Sequence, residues 1–285
     1  MTPDAAQRRS AVADRLRPFG VTIFAEMTRL AVEHGAVNLS QGFPDFDGPD
    51  FVKQALADAM NAGHNQYAPL GGIPALQQAI ADWHAAAWAG GAPAVDPAAC
   101  VTVTSGCTEA IPATMLGLLN PGHEIIIFEP FYDSYRACVA MAGATPRFVT
   151  LRPQADGAFA FDPDELRAAI TPRTRAILVN TPHNPTGKVY TRDELQFIAD
   201  LCIERDVIAI TDEVYERLVF EPDLPHIRMA SLPHMGERTV TLSSLGKTFS
   251  FTGWKIGWAV APPDLSKGVR AAHQFLTYAV STPAQ

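Results

Sequence analysis

A single lysine, Lys247, follows a short apolar run in the segment SSLGKTFS of residues 243–250. The run before it, residues 239–242, predicts a buried strand, so the lysine would leave that strand in dry surroundings. Desolvation disfavours the charged ammonium form and makes the neutral amine easier to reach. A neutral amine can attack an aldehyde and form a Schiff base. The alternative is an ordinary loop lysine, which is the commonest environment of lysine.

The same segment also suggests a phosphate-binding P-loop, because Gly246, Lys247 and Thr248 match the end of G-x-x-x-x-G-K-[ST]. That pattern requires a glycine at position 241, where this chain has Thr241. It also requires a helix directly after the Lys-Thr pair, whereas residues 249–254 are rich in β-branched, aromatic and glycine residues that start helices poorly. We therefore reject the nucleoside-triphosphate interpretation.

From residue 100 onward the sequence alternates short apolar runs with helical patterns. The runs are mostly continuous and rich in Val and Ile, which is typical of strands buried on both faces. This alternation predicts an α/β fold with a doubly wound, mostly parallel sheet and helices on both faces. Strands are predicted at residues 100–104, 124–128, 175–180, 207–212, 239–243 and 257–261, and helices at residues 21–34, 50–62, 72–89, 109–119, 132–142, 163–169, 192–204 and 264–278.

Composition and charge exclude several classes of protein. The formal net charge of −8 and the lack of a basic run argue against nucleic-acid binding. We expect no membrane contact, since no apolar segment approaches the roughly 18 residues of a membrane helix, and the charged first twenty residues do not resemble a secretory signal. The four cysteines lie far apart, which favours free thiols in a reducing cytoplasm. The eight histidines show no paired-ligand spacing, so no metal site is predicted.

The carboxyl ends of the predicted strands carry residues that could bind a ligand, and ligands of such sheets bind at these ends. Gly106 and Cys107 precede a helix, where exposed backbone N–H groups bind an anion such as phosphate; a simple helix cap is the alternative. Tyr132 could stack on a flat heteroaromatic ring, or it could be a core aromatic. Asn184, in an Asn-Pro-Thr-Gly turn, could donate to a phenolate or carboxylate oxygen, or serve the turn alone.

Asp212 follows mostly apolar strand residues, where a carboxylate is costly unless it has a partner. It could cap the next helix or pair with a protonated ring nitrogen, and Tyr215 could point the same way. Ser244 and Lys255 offer a hydroxyl and a cation for a phosphate near Lys247. Together these groups suit one flat ligand with a phosphate, an aldehyde and a basic ring nitrogen beside a phenolate. That ligand is pyridoxal 5′-phosphate (PLP), an electron sink for reactions at an amino acid's Cα atom.

With these residues the chain resembles a class I aminotransferase of fold type I. The similarity is greatest to the branch that contains kynurenine/glutamine transaminases and methionine aminotransferases. The motifs that carry the resemblance are spread over most of the chain, and jointly they are highly specific. They are the segments of residues 38–46, 65–72, 105–111, 129–135, 180–187, 211–215 and 243–258.

The resemblance implies a role for each residue. Lys247 would hold the cofactor and move the Cα proton, Asp212 would pair with the pyridine nitrogen, and Tyr215 would contact the ring oxygen. Asn184 would contact the same oxygen and the substrate, and Gly42 would line the substrate pocket. The other implied cofactor contacts are stacking by Tyr132, phosphate binding by Gly106, Cys107, Ser244 and Lys255, and a contact from Tyr67 to the phosphate of the neighbouring subunit, which implies a homodimer.

The resemblance also suggests a domain organisation. Residues 1–45 would form an N-terminal arm and part of a small domain, and residues 46–285 an incomplete large PLP-binding domain. The chain stops at residues 281–285 without a closing element. We therefore expect an interrupted polypeptide that lacks the C-terminal small domain and its arginine for the substrate α-carboxylate.

The resulting hypothesis is a PLP-dependent aminotransferase. By a ping-pong mechanism it would move the amino group of an aromatic, methionine or glutamine-like L-amino acid to a 2-oxo acid. Two alternatives keep the cofactor: a β-eliminating C–S lyase and a succinyl-diaminopimelate-type aminotransferase. A third is a non-catalytic fragment or regulatory module that only binds PLP, because a fold does not by itself specify function.

Overall fold

The computed structural model describes residues 11–40, 42, 44, 46–86, 91–221 and 223–285. The chain forms two compact units, Met1–Gly42 and Phe43–Gln285. The assignment of residues 1–45 and 46–285 to two domains stays a prediction.

The described part of the first unit contains two helices joined by irregular segments. A short 3₁₀ helix, Asp14–Leu16, precedes helix α1, Ile23–Glu33. The Thr22 side chain accepts a hydrogen bond from the Ala25 N–H, which caps α1 at its N-terminus. The helix predicted at residues 21–34 is therefore confirmed.

The second unit is built on a seven-stranded sheet, counted over the described residues. The strands are β1 (Val101–Ser105), β2 (Glu124–Glu129), β3 (Thr145–Thr150), β6 (Thr174–Asn180), β7 (Ile208–Asp212), β8 (Thr239–Ser244) and β9 (Ile256–Val260), while β4 (Arg152–Pro153) and β5 (Phe159–Ala160) form a separate pair. Their order across the sheet is β1-β9-β8-β7-β6-β2-β3. Neighbours from β8 to β3 pair in parallel, and β9 runs antiparallel to β1 and β8. The predicted mostly parallel sheet is thus confirmed.

Strand β3 was not predicted from the sequence. It is an edge strand that pairs only with β2 within the sheet. Val149 is its one fully buried residue, whereas Arg147 and Phe148 are exposed. An edge strand that is buried at few positions does not need the continuous apolar run of a central strand, so it lacks the signal on which the prediction depended.

Helices cover both faces of the sheet, as predicted. Successive residues of β6 enter different cores: Leu178 packs with α5, α6 and α10 on one face, and Val179 packs with α7 and α8 on the other. The helices of this unit are α2 (Asp50–Asn61), α3 (Pro74–Ala85), α4 (Pro97–Cys100), α5 (Gly106–Leu118), α6 (Ser134–Met141), α7 (Pro163–Ala169), α8 (Arg192–Glu204), α9 (Leu245–Thr248) and α10 (Pro263–Leu276).

Local signals explain where these helices begin. Helix α8 starts with the predicted capping box, in which Thr191 and Glu194 exchange side-chain and backbone hydrogen bonds. Helix α5 begins at Gly106, three residues before the predicted start, because Gly106 adopts a left-handed φ of 68° directly after β1. The helix predicted at residues 72–89 corresponds to α3, and residues 87–90 lie outside the described part of the chain. Across the described residues, every helix is too short or too polar to cross a membrane.

Candidate active site

Asp212 is the last residue of β7 and is only 3% exposed. Its carboxylate accepts hydrogen bonds from the Tyr135 hydroxyl at 2.8 Å and from the Val214 N–H at 3.2 Å. The Cys107 thiol donates to it across 3.6 Å. Burial raises the pKa of the Asp212 carboxyl, and these three donors oppose the rise because they stabilise the charged form. A buried carboxylate of this kind is suited to a cationic partner.

Tyr215 links this carboxylate to the predicted lysine. Burial, followed by the charge of Asp212 and by Tyr132, raises the pKa of Tyr215 to about 12, while a hydrogen bond from the Asn184 side chain opposes the rise. The Lys247 Nζ atom lies 5.8 Å from the centroid of the Tyr215 ring. The structure therefore brings Asp212, Asn184 and Lys247 together around the Tyr215 side chain.

Lys247 is placed by the end of β8. The Ser244 side chain accepts a hydrogen bond from the Gly246 N–H at 3.3 Å, which starts the four-residue helix α9 that contains the lysine. Lys247 is half-buried. Burial lowers the pKa of the Lys247 amine, and the positive charge of Lys255 lowers it further. At a given pH the neutral, nucleophilic amine is therefore more populated than in an exposed lysine.

A second cation and the start of α5 form a cradle with little free space. The Lys255 amine donates to the Thr108 hydroxyl at 2.8 Å. A Cβ atom at Gly106 would lie 3.1 Å from the Lys255 Nζ atom, and one at Gly257 would lie 2.4 Å from the Gly106 carbonyl carbon. Only glycine permits this approach of β9 to the helix start. The first backbone N–H groups of α5 are orphan donors, and together with Lys255 they suit an anion.

The other three predicted residues, Tyr132, Tyr67 and Gly42, differ in whether the structure places them near Asp212, Tyr215 and Lys247. Tyr132 is half-buried, and its ring lies edge-on to the Tyr135 ring with 5.6 Å between centroids. Tyr67 is 85% exposed, and its ring packs against Tyr278 at 5.7 Å. The described contacts thus do not join Tyr67 to the other predicted residues. Gly42 belongs to the first compact unit, and a Cβ atom there would meet nothing within 4 Å.

Three residues that the sequence analysis did not select also shape the site. Tyr135 and Thr108 bind the Asp212 carboxylate and Lys255, as described above. The Asn180 side chain fixes the edge of the sheet. Its Nδ2 atom donates to the Asp212 backbone carbonyl at 2.9 Å, and its Oδ1 atom accepts from the Asn184 backbone N–H at 2.6 Å. All three belong to segments that carry the predicted motifs, but nothing in the sequence specifies their partners.

A separate buried network lies at the same end of the sheet, and we call it the Arg228 network. The Arg228 guanidinium contacts the Glu216 carboxylate at 2.5 Å and lies 3.7 Å from the Glu213 carboxylate. All its charged members are at most 4% exposed. It consists of Arg228, Glu213, Glu216, His226, Trp83, Ser243 and Thr211.

Part of this network has the composition of a metal site. The ligand atoms of Glu213, Glu216 and His226 lie within 4.8 Å of one another. The Arg228 guanidinium, however, contacts both carboxylates and supplies the positive charge that a cation would bring. Burial alone would raise the pKa of Glu213, but His226 and Arg228 lower it below its usual range. The chemistry of this cluster therefore favours an internal ion pair.

A mostly parallel sheet with a lysine, a carboxylate and a tyrosine at its carboxyl edge is the arrangement expected of a fold type I aminotransferase. The family model for aminotransferase class I and II matches residues 34–285, and the chain belongs to this family. The predictions of the fold type, of the family and of a transaminase as the class of enzyme are thereby confirmed.

Similar proteins include several named aminotransferases. The chain is 51% identical to a probable N-succinyldiaminopimelate aminotransferase DapC of Mycobacterium tuberculosis, with 95% of this chain and 67% of the relative covered. It is 43% identical to the mouse kynurenine–oxoglutarate transaminase 3 (96% and 61% covered) and 41% identical to the Escherichia coli methionine aminotransferase (95% and 68% covered). The solved structure of an N-succinyldiaminopimelate aminotransferase from M. tuberculosis matches with a TM-score of 0.90 and 50% identity, over 96% of this chain and 70% of that one. The chain thus spans about two thirds of the length of these relatives.

Proposed function

We propose that this chain binds PLP and uses it to move an amino group from an L-amino acid to a 2-oxo acid. The observation that carries the proposal is the arrangement around Tyr215. The charge of the buried Asp212 carboxylate raises the pKa of Tyr215, and the half-buried Lys247 amine lies 5.8 Å from the centroid of its ring. A carboxylate that burial disfavours is stabilised by a protonated ring nitrogen, and an amine with a lowered pKa is suited to an aldehyde.

The residues present fit each part of the cofactor. Lys247 would hold the aldehyde, Asp212 the ring nitrogen, and Tyr215 with Asn184 the ring oxygen. Tyr132 would cover one face of the ring; its half-buried side chain lies edge-on to Tyr135, whose hydroxyl binds Asp212. The phosphate would bind at the start of α5, where the orphan N–H groups of Gly106 and Cys107, the Ser244 hydroxyl and the Lys255 amine supply donors.

The chain's own side chains would then perform the proton transfer. When bound, the cofactor supplies an electron sink for the pair of electrons left at the substrate Cα atom. The Lys247 amine, once released from the aldehyde by the incoming amino acid, would take the proton from that Cα atom as a general base. Its lowered pKa brings it closer to the operating pH, where a general base is most effective. Asp212 would keep the ring nitrogen protonated throughout.

The proposal extends to a homodimer in a reducing cytoplasm. All four cysteines are unpaired thiols, which supports a reducing compartment. Tyr67 is exposed in the single chain, which supports its predicted role at the phosphate of a neighbouring subunit. Gly42 would line the substrate pocket, as the family resemblance implies. We propose small-molecule amino and oxo acids as the only ligands besides the cofactor.

The amino donor is proposed from the relatives. Kynurenine and methionine give their names to two of them, which supports the aromatic, methionine or glutamine-like donors inferred from the sequence. The identity of 51% to a probable N-succinyldiaminopimelate aminotransferase makes N-succinyldiaminopimelate a further candidate of equal interest.

Covalent capture of PLP tests the proposal. The protein is mixed with PLP, reduced with borohydride and digested, and the modified peptide is identified by mass spectrometry. We expect one reduced pyridoxyl group on Lys247, its loss in Lys247→Ala, and its retention in Lys267→Ala, which removes an exposed lysine paired with Asp264. Modification of Lys267 or of several surface lysines instead would refute the assignment.

The captured complex then distinguishes transamination from the alternatives. Each candidate donor is added to the PLP-bound protein without an oxo acid, and pyridoxamine phosphate and the 2-oxo acid are measured. Stoichiometric formation of both supports transamination. Pyruvate released from a cysteine conjugate without pyridoxamine phosphate would support a β-lyase, and no reaction with any donor would support a fragment that only binds the cofactor.

A further inference from the structure

The Arg228 network buries three formal charges where a hydrophobic core would be easier to build. Burying an ion pair requires excellent geometry and additional hydrogen bonds before attraction repays desolvation. The two carboxylates of the network meet this requirement. Glu216 accepts from the Trp83 indole at 2.9 Å and from the Ser243 hydroxyl at 3.2 Å, in addition to Arg228. Glu213 accepts from the Thr211 hydroxyl at 2.9 Å.

One link between the network and the candidate active site is the segment of residues 212–216. Asp212 and Tyr215 contact the site residues, whereas Glu213 and Glu216 contact Arg228. The two pairs alternate along five residues, so the segment cannot rotate or shift toward one set of partners without leaving the other. Its backbone is also attached to the sheet, where the Glu213 N–H donates to the Leu242 carbonyl at 2.8 Å.

Arg228 extends this attachment to helix α3. Its guanidinium donates to the Trp83 carbonyl at 3.2 Å and to the His84 carbonyl at 3.0 Å, both in the last turn of α3. Carbonyls at a helix end lack their usual i+4 partners, and that of Trp83 accepts otherwise from the cap residue Ala86 at 3.3 Å. The Trp83 ring in turn packs against Phe249, two residues after Lys247, with 5.9 Å between centroids. One guanidinium therefore connects the helix end, the carboxylate segment and the lysine segment.

We propose that Arg228 is a positioning residue for the reaction: through Glu213 and Glu216 it fixes the orientation of Asp212 and Tyr215 toward the cofactor. The proposal rests on the proposed function, because it assigns Arg228 its role through the PLP site. Among the described contacts, Arg228 meets Glu213, Glu216 and the end of α3, and none of the residues proposed to hold the cofactor. A rigid support of this kind matters because small displacements of catalytic groups lower rates strongly.

The test variant is Glu216→Gln/Arg228→Met, which removes one negative and one positive charge together and leaves Glu213 its contact with His226 at 3.0 Å. The control is Glu124→Gln/Arg173→Met, at a pair whose carboxylate is buried and whose arginine is exposed. It makes the same two changes at an ion pair of 2.5 Å at the start of β2, the opposite end of the sheet from the site. Arg228→Lys is a third variant that keeps the charge but loses the planar fork, in which one terminal nitrogen donates to Glu216 and the other to the two carbonyls of α3.

Two quantities are measured on each PLP-bound protein: the Kd for PLP from absorbance titration, and the pH midpoint of the bound cofactor's visible band. For the test variant we expect Kd to rise about tenfold or more, equivalent to about 1.4 kcal/mol. We also expect the midpoint to shift by about half a unit or more, because Asp212 and Tyr215 no longer meet the ring at fixed positions. For Arg228→Lys we expect a smaller change in the same direction, and for the control no change in either quantity.

The pH midpoint separates positioning from general loosening. A variant that is merely less stable binds less cofactor, but the fraction it binds titrates as in the wild type. A test variant and Arg228→Lys that both keep the wild-type midpoint would therefore overturn the proposal, whatever their stability. If the wild type forms no absorbing complex on Lys247, the proposed function fails and this proposal with it. If the wild type forms the complex and the variants have the same pH midpoint as the wild type, the positioning role alone is refuted.

Discussion

Removal of the Tyr135 hydroxyl tests how the fold stabilises the buried carboxylate of Asp212. In Tyr135→Phe the Asp212 Oδ2 atom loses its 2.8 Å hydrogen bond, and the phenyl ring keeps its place in the core. A hydrogen bond to a charged group contributes about 1.5–3 kcal/mol, and one between neutral groups about 0.5–1.5 kcal/mol. While Asp212 is ionised, we expect the cofactor-free variant to lose about 2 kcal/mol of unfolding free energy.

This loss depends on pH because Asp212 titrates. Burial raises its pKa in the folded state above the unfolded value, so the folded protein binds the proton more tightly. The ionised carboxylate therefore destabilises the fold as pH rises through the folded pKa. Tyr135→Phe raises that pKa further, because it removes a bond to the charged form. The difference between variant and wild type is thus largest above the folded pKa and shrinks toward about 1 kcal/mol below it.

The measurement is urea unfolding of the cofactor-free proteins between about pH 8 and about pH 4, a range in which a raised Asp pKa would titrate. Tyr190→Phe is the matched control. Tyr190 is 0% exposed, and its hydroxyl has no hydrogen-bond partner within the described part of the chain. We expect the control to lose no unfolding free energy at any pH in this range, because its hydroxyl gives up no hydrogen bond. An equal loss in both variants, or a loss in Tyr135→Phe that does not vary with pH, would refute the reasoning.

Two further predictions concern the lysine pair and the helix packing. Lys255→Met removes the positive charge that helps to lower the pKa of Lys247. The pH at which half of the Lys247 amine reacts with an acylating reagent, measured by peptide mass spectrometry, should therefore rise. An unchanged value would contradict this coupling. Gly117→Ala would place a Cβ atom 2.2 Å from the Gly268 carbonyl oxygen and push α5 away from α10. It should reduce stability in thermal unfolding by about 1–3 kcal/mol or more. Gly20→Ala, which meets nothing within 4 Å, should not, and equal effects would contradict the packing argument.

The central sheet and its ligand-binding edge could be predicted because both depend on local patterns. Continuous apolar runs specify buried strands, and the residue that ends each run must lie at the carboxyl edge. Asp212, Tyr215 and Lys247 each follow such a run within a few positions. Strand β3 lacks the run because its side chains are mostly not buried, and it could not be identified in this way.

The partners of the site residues could not be predicted, because they come from distant parts of the chain. Tyr135 reaches Asp212 across 77 positions, and Lys255 reaches Thr108 across 147. Neither contact follows from periodicity or from a motif, since each depends on which helix packs beside which strand. The Arg228 network is an extreme case: its guanidinium meets the carbonyls of helix α3 across 144 and 145 positions.

The alternation within residues 212–216 gives a physical reason for the density of polar residues in DEVYE. Asp212 alone at a buried strand end would be an unpaired charge in the cofactor-free protein, and the chain stabilises it with Tyr135, Val214 and Cys107. The neighbouring Glu213 carries the same charge and raises the pKa of Asp212 through repulsion. The positive charge of Arg228 offsets part of the negative charge of Glu213 and Glu216, so the repulsion that reaches Asp212 is reduced. The Arg228 guanidinium therefore both orients Asp212 and Tyr215 and reduces the repulsion on Asp212. Replacing Arg228 while Glu213 and Glu216 stay in place should disturb both effects.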